Sequence, residues 1–349
     1  TRFRGVTGVQ TCALPIFCSI KKTMPYPTET QYLEHHPLVS FIITAYNIEA
    51  SLLRSCIDSI LGLSLNPENR EIIVIDDGSE TPAITSLLDV FDNLIYVRQR
   101  NQGLSVARNR GIDIAQGDFI QFIDGDDSLL QFTYEHCLDI VRFHNPDMVI
   151  FEASTKPSVD ITEEIAGPFE GTSYMEEHNI RGSVCCYLFK KDILRGLRFR
   201  PTLTYYAEDE EFTAQLMLNV KRLFVTPAKS YFYRQHKLSI MHRKGKRDVI
   251  QRLENTESVI FYLQSRLQTL PQSKHVALQR RIAQLTMDYL YNTARLTHCL
   301  SKLDETCERL HEHGLFPLPN KDYTSKYRLF QKLSKHRWGR RIIIAATLI

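Results

Sequence analysis

The sequence predicts an α/β protein in which a mixed, mostly parallel sheet is flanked by helices and followed by a helical C-terminal extension. Three observations carry this expectation. From Leu38 onward, short apolar, β-branched runs alternate with helix-like segments, the pattern that lays parallel strands side by side with helices on both faces. The runs Phe41-Ile42-Ile43 and Ile72-Ile73-Val74-Ile75 are apolar without interruption, as strands covered on both faces must be. Beyond Arg247, residues such as Leu253, Ile260, Leu263 and Leu267 recur at the spacing of one helix face.

Taken in order, strands are expected at 39–44, 71–75, 94–97, 119–123 and 148–151, with helices near 50–62, 83–91, 104–115 and 128–143. Residues 154–182 lose this regularity at Pro157, Gly167, Pro168, Gly171 and Gly182 and read as an insertion able to form part of an acceptor wall. Strands return at 184–189, 223–225 and 230–233, with a helix at 209–219. Pro271 and the turn Gly314-Leu315-Phe316-Pro317 divide the following stretch into two or three helices. The chain thus divides into a leader at 1–23, a linker at 24–37, an α/β domain at 38–245 with halves at 38–152 and 153–245, a helical extension at 246–322 and a basic amphipathic tail at 323–349.

The leader is set aside as non-native, because residues 5–16 read like a translated sequencing adapter. A secretory signal fits this end poorly: its apolar run is broken by Pro15 and followed by Lys21-Lys22, where a small-residue cleavage site belongs.

With 43% apolar and 24% charged residues over 349 positions, the chain can bury a large core. A formal net charge of +3, mixed in sign, excludes nucleic acid binding as a property of the whole protein. The 8 cysteines include no C-x-x-C pair and read as reduced structural thiols of a cytosolic protein. No window reaches the ~18 to 20 apolar residues of a membrane span. The tail carries seven Lys or Arg and no Asp or Glu. There Trp338 and the run from Ile342 lie beside Arg337, Arg340 and Arg341, as an anchor on an anionic membrane surface requires. A solvated helix face or a frayed end is the competing reading.

Three strands end in polar turns: Thr44-Ala45-Tyr46-Asn47, Asp76-Asp77-Gly78-Ser79 and Asp124-Gly125-Asp126-Asp127. In open α/β sheets ligands bind beyond the carboxyl ends of strands, so the three turns are expected to face one crevice. Tyr46 can stack on a base, Asp77 can accept from ring N–H or ribose hydroxyl groups, and Asp124 with Asp126 can hold a hard cation. Mg²⁺ or Mn²⁺ on one or two carboxylates completes its shell with substrate phosphates, so a nucleoside diphosphate fits this inventory. Taken alone, the acidic turn reads more readily as a solvated loop or helix cap, and Asp76 to Ser79 as a plain strand-to-helix turn.

Four stretches in order carry a resemblance: 39–47, 74–79, the run Asn101-Gln102-Gly103-Leu104-Ser105-Val106-Ala107-Arg108-Asn109-Arg110-Gly111, and 122–127. Together they resemble the family 2 glycosyltransferases, of the Rossmann-like GT-A fold, over residues 38–242. The resemblance implies that Thr44, Tyr46 and Asp77 contact base and ribose, with Asn47 and Asp76 in the same nucleotide-sugar site. It implies that Arg108 lies near the nucleotide, that Asp126 of the D-x-D motif holds the cation on the diphosphate, and that Asp124 sits at the ribose or metal edge. The stretch Tyr206-Ala207-Glu208-Asp209-Glu210-Glu211-Phe212 looks like the family's Glu-Asp motif at a helix start. Free N–H groups and the helix dipole there favour a charged, base-competent carboxylate, which makes Asp209 the expected general base. Its plain alternative is an acidic first turn. Residues 231–242 resemble the segment that closes over the diphosphate, so Arg234, His236 and His242 are candidate donors to the departing phosphate.

The resemblance thus assigns donor binding to 38–152 and acceptor binding with catalysis to 153–245. The implied reaction is inverting transfer of a hexosyl or N-acetylhexosaminyl group from a nucleoside-diphosphate sugar, UDP by default, to a hydroxyl of a glycan or lipid-linked saccharide. The implied setting is bacterial surface-polysaccharide assembly, in the cytoplasm or on the inner face of the plasma membrane. A dinucleotide-dependent dehydrogenase is excluded, since it needs G-x-G-x-x-G where Thr44 to Asn47 stand. A sugar nucleotidyltransferase, which wants a glycine-rich basic loop near the first strand, and a nucleotide-sugar-binding protein without turnover remain as alternatives.

Overall fold

The protein is seen in a computed structural model that describes residues 36–87, 94–157, 162–203, 206–235 and 245–348. Its strands are β1 (Val39–Ala45), β2 (Arg70–Asp76), β3 (Ile95–Arg98), β4 (Phe119–Asp124), β5 (Ser128–Leu129), β6 (Met148–Ser154), β7 (Ala166–Phe169), β8 (Tyr187–Lys190) and β9 (Leu223–Phe232). They form one sheet in the order β3-β2-β1-β4-β8-β6-β9-β5, with β7 also paired to β9. From β3 to β4 the pairings are parallel. Strand β8 runs antiparallel between β4 and β6, and β6 pairs parallel with β9.

The helices are α1 (Ala50–Leu61), α2 (Leu104–Ile114), α3 (Gln131–His144), α4 (Gly171–Glu177), α5 (Glu208–Met217), α6 (Lys246–Arg266), α7 (His275–Thr297), α8 (Leu300–Glu312), α9 (Ser325–Ser334) and α10 (Arg337–Ala346). Strand alternation assigns them to the two faces of the sheet. Phe41, Ile43, Ile72 and Val74 share one apolar cluster with Leu53, Cys56, Ile57 and Ile60 of α1 and Tyr134 and Leu138 of α3. Helix α1 has neither a side-chain cap nor acids in its first turn. Its buried face at i, i+3, i+4 and i+7 holds it, because fully burying one Leu or Ile contributes ~1.5–3 kcal/mol against about 1 kcal/mol for a cap.

The alternate residues Ile42, Ile73 and Ile75 share the other cluster with Ala107 of α2, Phe212 of α5, Ile260 of α6, and Leu278 and Ile282 of α7. That cluster continues to Ile343 of α10, so the helical extension shares its core with the sheet.

Several elements differ in detail from the sequence reading. The two strands expected at 223–225 and 230–233 are one strand, β9, because Pro227, which has no N–H for the ladder, is absorbed in a bulge. There Ile150 faces Val225 while Glu152 faces Lys229. Ser128–Leu129 pairs with β9 before α3 begins. The strand expected at 184–189 opens as a single helical turn, Val184–Cys186, before β8. Within the irregular 154–182 stretch lie β7 and α4. The helix expected at 83–91 is one 3-10 turn at Ala83–Ser86, and 88–93 lie outside the described residues. The extension forms three helices, α6 to α8.

Candidate active site

Strands β1, β2 and β4 are neighbours in parallel register, with Ala45 beside Asp76 and Thr44 beside Asp124, so their three polar turns emerge at one edge. Backbone and side-chain bonds join them. The Asp77 N–H donates to the Ala45 carbonyl at 2.9 Å and the Gly125 N–H to the Thr44 carbonyl at 3.0 Å. Asn47, at φ 51°, donates its N–H to Ser79 Oγ at 2.9 Å and accepts from the Glu80 N–H at 2.8 Å. Thr44 is buried beneath this edge, whereas the Tyr46 ring stands 49% exposed beside the crevice.

The acids of the second turn are taken up inside the protein. Asp76 is fully buried and accepts from the Ser79 N–H at 2.8 Å, the Ala83 N–H at 3.0 Å and the Tyr96 hydroxyl at 2.6 Å. Burial works to raise its carboxyl, but those donors outweigh it and hold the group below its ordinary value. Asp77 accepts from Gln99 Nε2 at 2.7 Å and from the N–H groups of Gln102 and Gly103 at 3.0 and 2.8 Å, fixing the start of α2. Directly after them Gly78 has φ +79°, and a Cβ there would lie 2.7 Å from the Asn101 nitrogen, so this turn requires glycine.

Arg108 of α2 is the hub of the crevice. Its buried guanidinium meets Asp209 Oδ1 at 2.5 Å and Glu208 Oε1 at 3.3 Å through Nη1, and Asp124 Oδ1 at 3.2 Å through Nη2. It also lies 5.3 Å over the Phe199 ring. One guanidinium cannot neutralise three carboxylates. Burial raises Asp209 to about 7, Arg108 opposes this, and Glu208 and Asp124 add to it. Glu208 is raised as well, chiefly by burial.

The acidic turn is supported from below by β9. The Tyr231 hydroxyl accepts from the Asp124 N–H at 3.1 Å and donates to Asp127 Oδ2 at 2.7 Å. Arg234 donates its N–H to Asp127 Oδ1 at 2.8 Å and its Nε to the Asp126 carbonyl at 3.0 Å. Asp127 is buried and pushed up to about 8 by burial and then by the charge of Asp124. It therefore belongs to the turn's foundation, and Asp124 and Asp126, both partly exposed, are the acids that meet the crevice.

On the far side, α5 begins with Asp209 in its first turn after two residues in left-handed backbone, Tyr206 at φ 71° and Ala207 at φ 66°. Such residues cost about 1–3 kcal/mol each and persist where surrounding contacts impose them. The Val184 N–H completes the shell of Asp209, donating to Oδ2 at 3.3 Å.

The structure thus gathers Thr44, Tyr46, Asn47, Asp77, Arg108, Asp124, Asp126, Asp209 and Arg234 at one end of the sheet, whereas Asp76, expected in the nucleotide-sugar site, is fully buried and shapes the turn from inside. His236 and His242 lie outside the described residues. Glu208, Tyr231 and the Val184 N–H had no role in the sequence reading. Among them only Glu208, adjoining Asp209 in an acidic run, left a readable signal. Among the described residues no group of three or more His, Cys, Asp or Glu is gathered to hold a metal.

Residues 40–189 match the family described as Glycosyl transferase family 2. GgaB of Bacillus subtilis, a minor teichoic acid biosynthesis protein, is 27% identical over 205 residues, covering 56% of this chain and 23% of GgaB. The glycosyltransferase EpsH of the same organism is 29% identical over 231 residues, covering 60% of this chain and 64% of EpsH. The chain therefore spans less than two thirds of either relative. Among solved structures, S. aureus TarS superposes with a TM-score of 0.62 at 17% identity, covering 88% of this chain and 55% of that one. Residues 1–349 of TarS in complex with UDP superpose at 0.58 and 15% identity, covering 88% and 90%. The shared architecture is GT-A-like: a curled, mixed sheet flanked by helices, with a helical C-terminal region.

Proposed function

We propose that this chain, whose residues 40–189 match the family 2 glycosyl transferases, transfers a sugar from a nucleoside-diphosphate donor to an acceptor hydroxyl with inversion. The observation that carries the proposal is the Arg108 bridge, in which one buried guanidinium binds Asp124 of the donor-side turn and Asp209 of the opposing helix. A donor lying on the turns of β1, β2 and β4 has its leaving group beside Asp124 and Asp126. An acceptor entering from the α5 side meets Asp209.

In this mechanism Asp209 accepts the proton of the acceptor hydroxyl as its oxygen attacks the anomeric carbon from the face opposite the diphosphate. The bond from that carbon to the diphosphate oxygen breaks, and the electron pair leaves with the diphosphate. A base with a value of about 7 is matched to neutral pH, where about half of it is ionised and it retains proton affinity. Arg108 holds Asp209 in place and keeps its charge tolerable in a buried setting.

Asp124 and Asp126 fit a divalent cation, Mg²⁺ or Mn²⁺, as hard oxygen donors on a turn whose excess negative charge already raises Asp127. When bound with donor phosphates, such a cation supplies neutralisation of the leaving diphosphate. Arg234, whose Nε is fixed on the Asp126 carbonyl, lies where it can donate to the same phosphates.

UDP as the carrier is supported by the TarS structures, solved with UDP and with UDP-GlcNAc. Polysaccharide assembly as the setting, with a glycan or lipid-linked acceptor, is supported by GgaB and its role in teichoic acid synthesis. A place at the inner face of the plasma membrane is supported by the outer side of α10. Trp338 and Ile342 are 59% and 48% exposed there and flank exposed Arg341, while Arg337 and Arg340 pair with Asp304. No described helix is long and apolar enough to cross a membrane. Flotation with anionic liposomes is expected for the full chain and not for a chain with Trp338 and Ile342 replaced by Ser; equal flotation would remove the membrane from this reading.

The decisive experiment is a thermal-shift screen of nucleotide sugars with Mn²⁺ and with EDTA, followed by turnover of the donor that binds. Stabilisation by a UDP-sugar that EDTA abolishes, together with transfer to a glycan acceptor, is the expected result. Binding without transfer or hydrolysis under any condition favours the non-catalytic reading, and no stabilisation by any nucleotide sugar sinks both.

A further inference from the structure

We infer that Arg281, on α7 of the helical extension, is a positioning residue for the base Asp209, an inference that rests on the transferase reading above. Arg281 is 2% exposed, and its guanidinium reaches two segments that flank Asp209. Nη1 donates to the Ile180 carbonyl at 2.7 Å and to Gln284 Oε1 at 2.9 Å, and Nη2 pairs with Glu210. Glu210 adjoins Asp209 in the first turn of α5. Residue 180 begins the segment that ends at Val184, whose N–H is on Asp209 Oδ2.

The two segments are also pressed together. A Cβ on Gly182 would lie 2.3 Å from Glu210 Cδ, so residues 180–184 lie directly against the Glu210 side chain. Arg281 therefore grips both sides of a close contact, and Asp209 takes a bond from one side while its backbone belongs to the other. Arg280 does similar work one residue earlier, donating to the carbonyls of Glu176 and Glu177 at the end of α4 while lying 4.9 Å over the Tyr323 ring. Consecutive arginines thus fasten residues 176–180 to α7.

A second observation explains why the helix start needs an outside grip. Helix α5 is entered through the left-handed pair Tyr206 and Ala207, and Ala207 supplies no capping side chain. Among the described residues, no side-chain cap fixes that first turn. A buried ion pair is a weak source of net stability, because removing both charges from water offsets their attraction. What the planar fork of an arginine supplies is direction, toward two acceptors distant in sequence.

The groups facing Asp209 are Arg108 from α2, Glu208 on its own helix, Asp124 from the end of β4 and Cys185 from the 184–186 turn. Small displacements of α5 change each of those distances. Loss of the Arg281 grip is therefore read in kcat and in the acid limb of the rate profile, while the donor-side turns are left alone.

The test uses the full chain with Arg281→Lys and, separately, Glu210→Gln. Each is expected to lower kcat by roughly 10- to 100-fold, as a base displaced by a fraction of an ångström does. Donor KM and the thermal shift produced by UDP-sugar with Mn²⁺ should stay near wild type, and the acid limb should move in both variants. Lysine should not rescue, since one ammonium cannot reproduce the fork. Wild-type kcat with an unmoved acid limb in both folded variants overturns the inference, as does a loss traced wholly to a smaller folded fraction. A wild-type chain that binds no donor overturns the transferase reading instead. In that case the Asp209 titration, followed by carboxyl-carbon NMR in all three proteins, decides alone, with identical titrations counting against Arg281.

Discussion

The two walls of the crevice are held by different kinds of bond. On the donor side, Asn47, Asp76, Asp77 and Ser79 bind mostly backbone N–H groups of their own or adjacent turns. On the opposing side, every acid at the start of α5 is gripped by an arginine from elsewhere. Arg108 takes Glu208 and Asp209, Arg281 takes Glu210, and Arg200 takes Glu211 at 2.6 Å. The turns of β1 and β2 are completed by segments between β1 and the start of α2, while the acidic turn of β4 also draws on Tyr231 and Arg234. The proposed base, Asp209, acquires its geometry only when α2, α5 and α7 have packed around one core. The comparison teaches that the wall proposed for the donor rests largely on bonds between neighbouring turns, whereas placement of the proposed base depends on the packing of distant helices.

The largest effect should separate the two walls outright. Asp209→Asn keeps shape and loses proton affinity, so kcat should drop about 10²- to 10⁴-fold while donor binding persists. A loss of donor binding of similar size would show that the walls are not independent.

The next effect is in pH. Asp209 is raised to about 7, and a general base works only when ionised, so the rate should fall as pH drops through 7 and level off above it. At pH 5.5 it should be roughly 30-fold below the plateau, whereas an unperturbed aspartate would leave the profile flat to about pH 5. A flat profile between 5.5 and 8 would remove Asp209 from the proton transfer.

The smallest effect probes the donor wall. Tyr231→Phe deletes one hydroxyl that serves both Asp124 and Asp127, leaving buried polar groups without that partner at a cost of about 1–3 kcal/mol. Urea unfolding should show this as a lower midpoint at unchanged slope, with a modest rise in donor KM. An unchanged midpoint would mean that the acidic turn stands without its support.

The same contrast explains what could be read from the amino-acid order. Strand runs and the polar turns that end them are local signals, so the α/β fold and the convergence of Thr44, Asp77 and Asp124 were legible before any coordinates. The continuity of β9 was not, since Pro227 reads as a stop until its partner strand β6 supplies a bulge. Tyr231 sat unassigned in an aromatic run because its role exists only through pairing of β9 near the Asp124 turn. The acidic run 208–211 marked a helix start, yet four acids in succession do not by themselves say which of them lie toward Arg108. Helix phase and the left-handed approach at Tyr206 and Ala207 decide that. Arg281 lies 71 residues from its partner Glu210, beyond the reach of any pattern in the order of residues.

The apolar cluster that runs from Ile42 to Ile343 sets a rule for recombining specificities in this protein. A crossover after β9 would part α5 from the helices that aim its base, and a hybrid made there would bring its donor and lose its aim. Keeping α4 to α7 in one piece preserves the Arg280 and Arg281 contacts, and the other piece must still match Arg108 to Asp209 and strands β6 and β7 to β9.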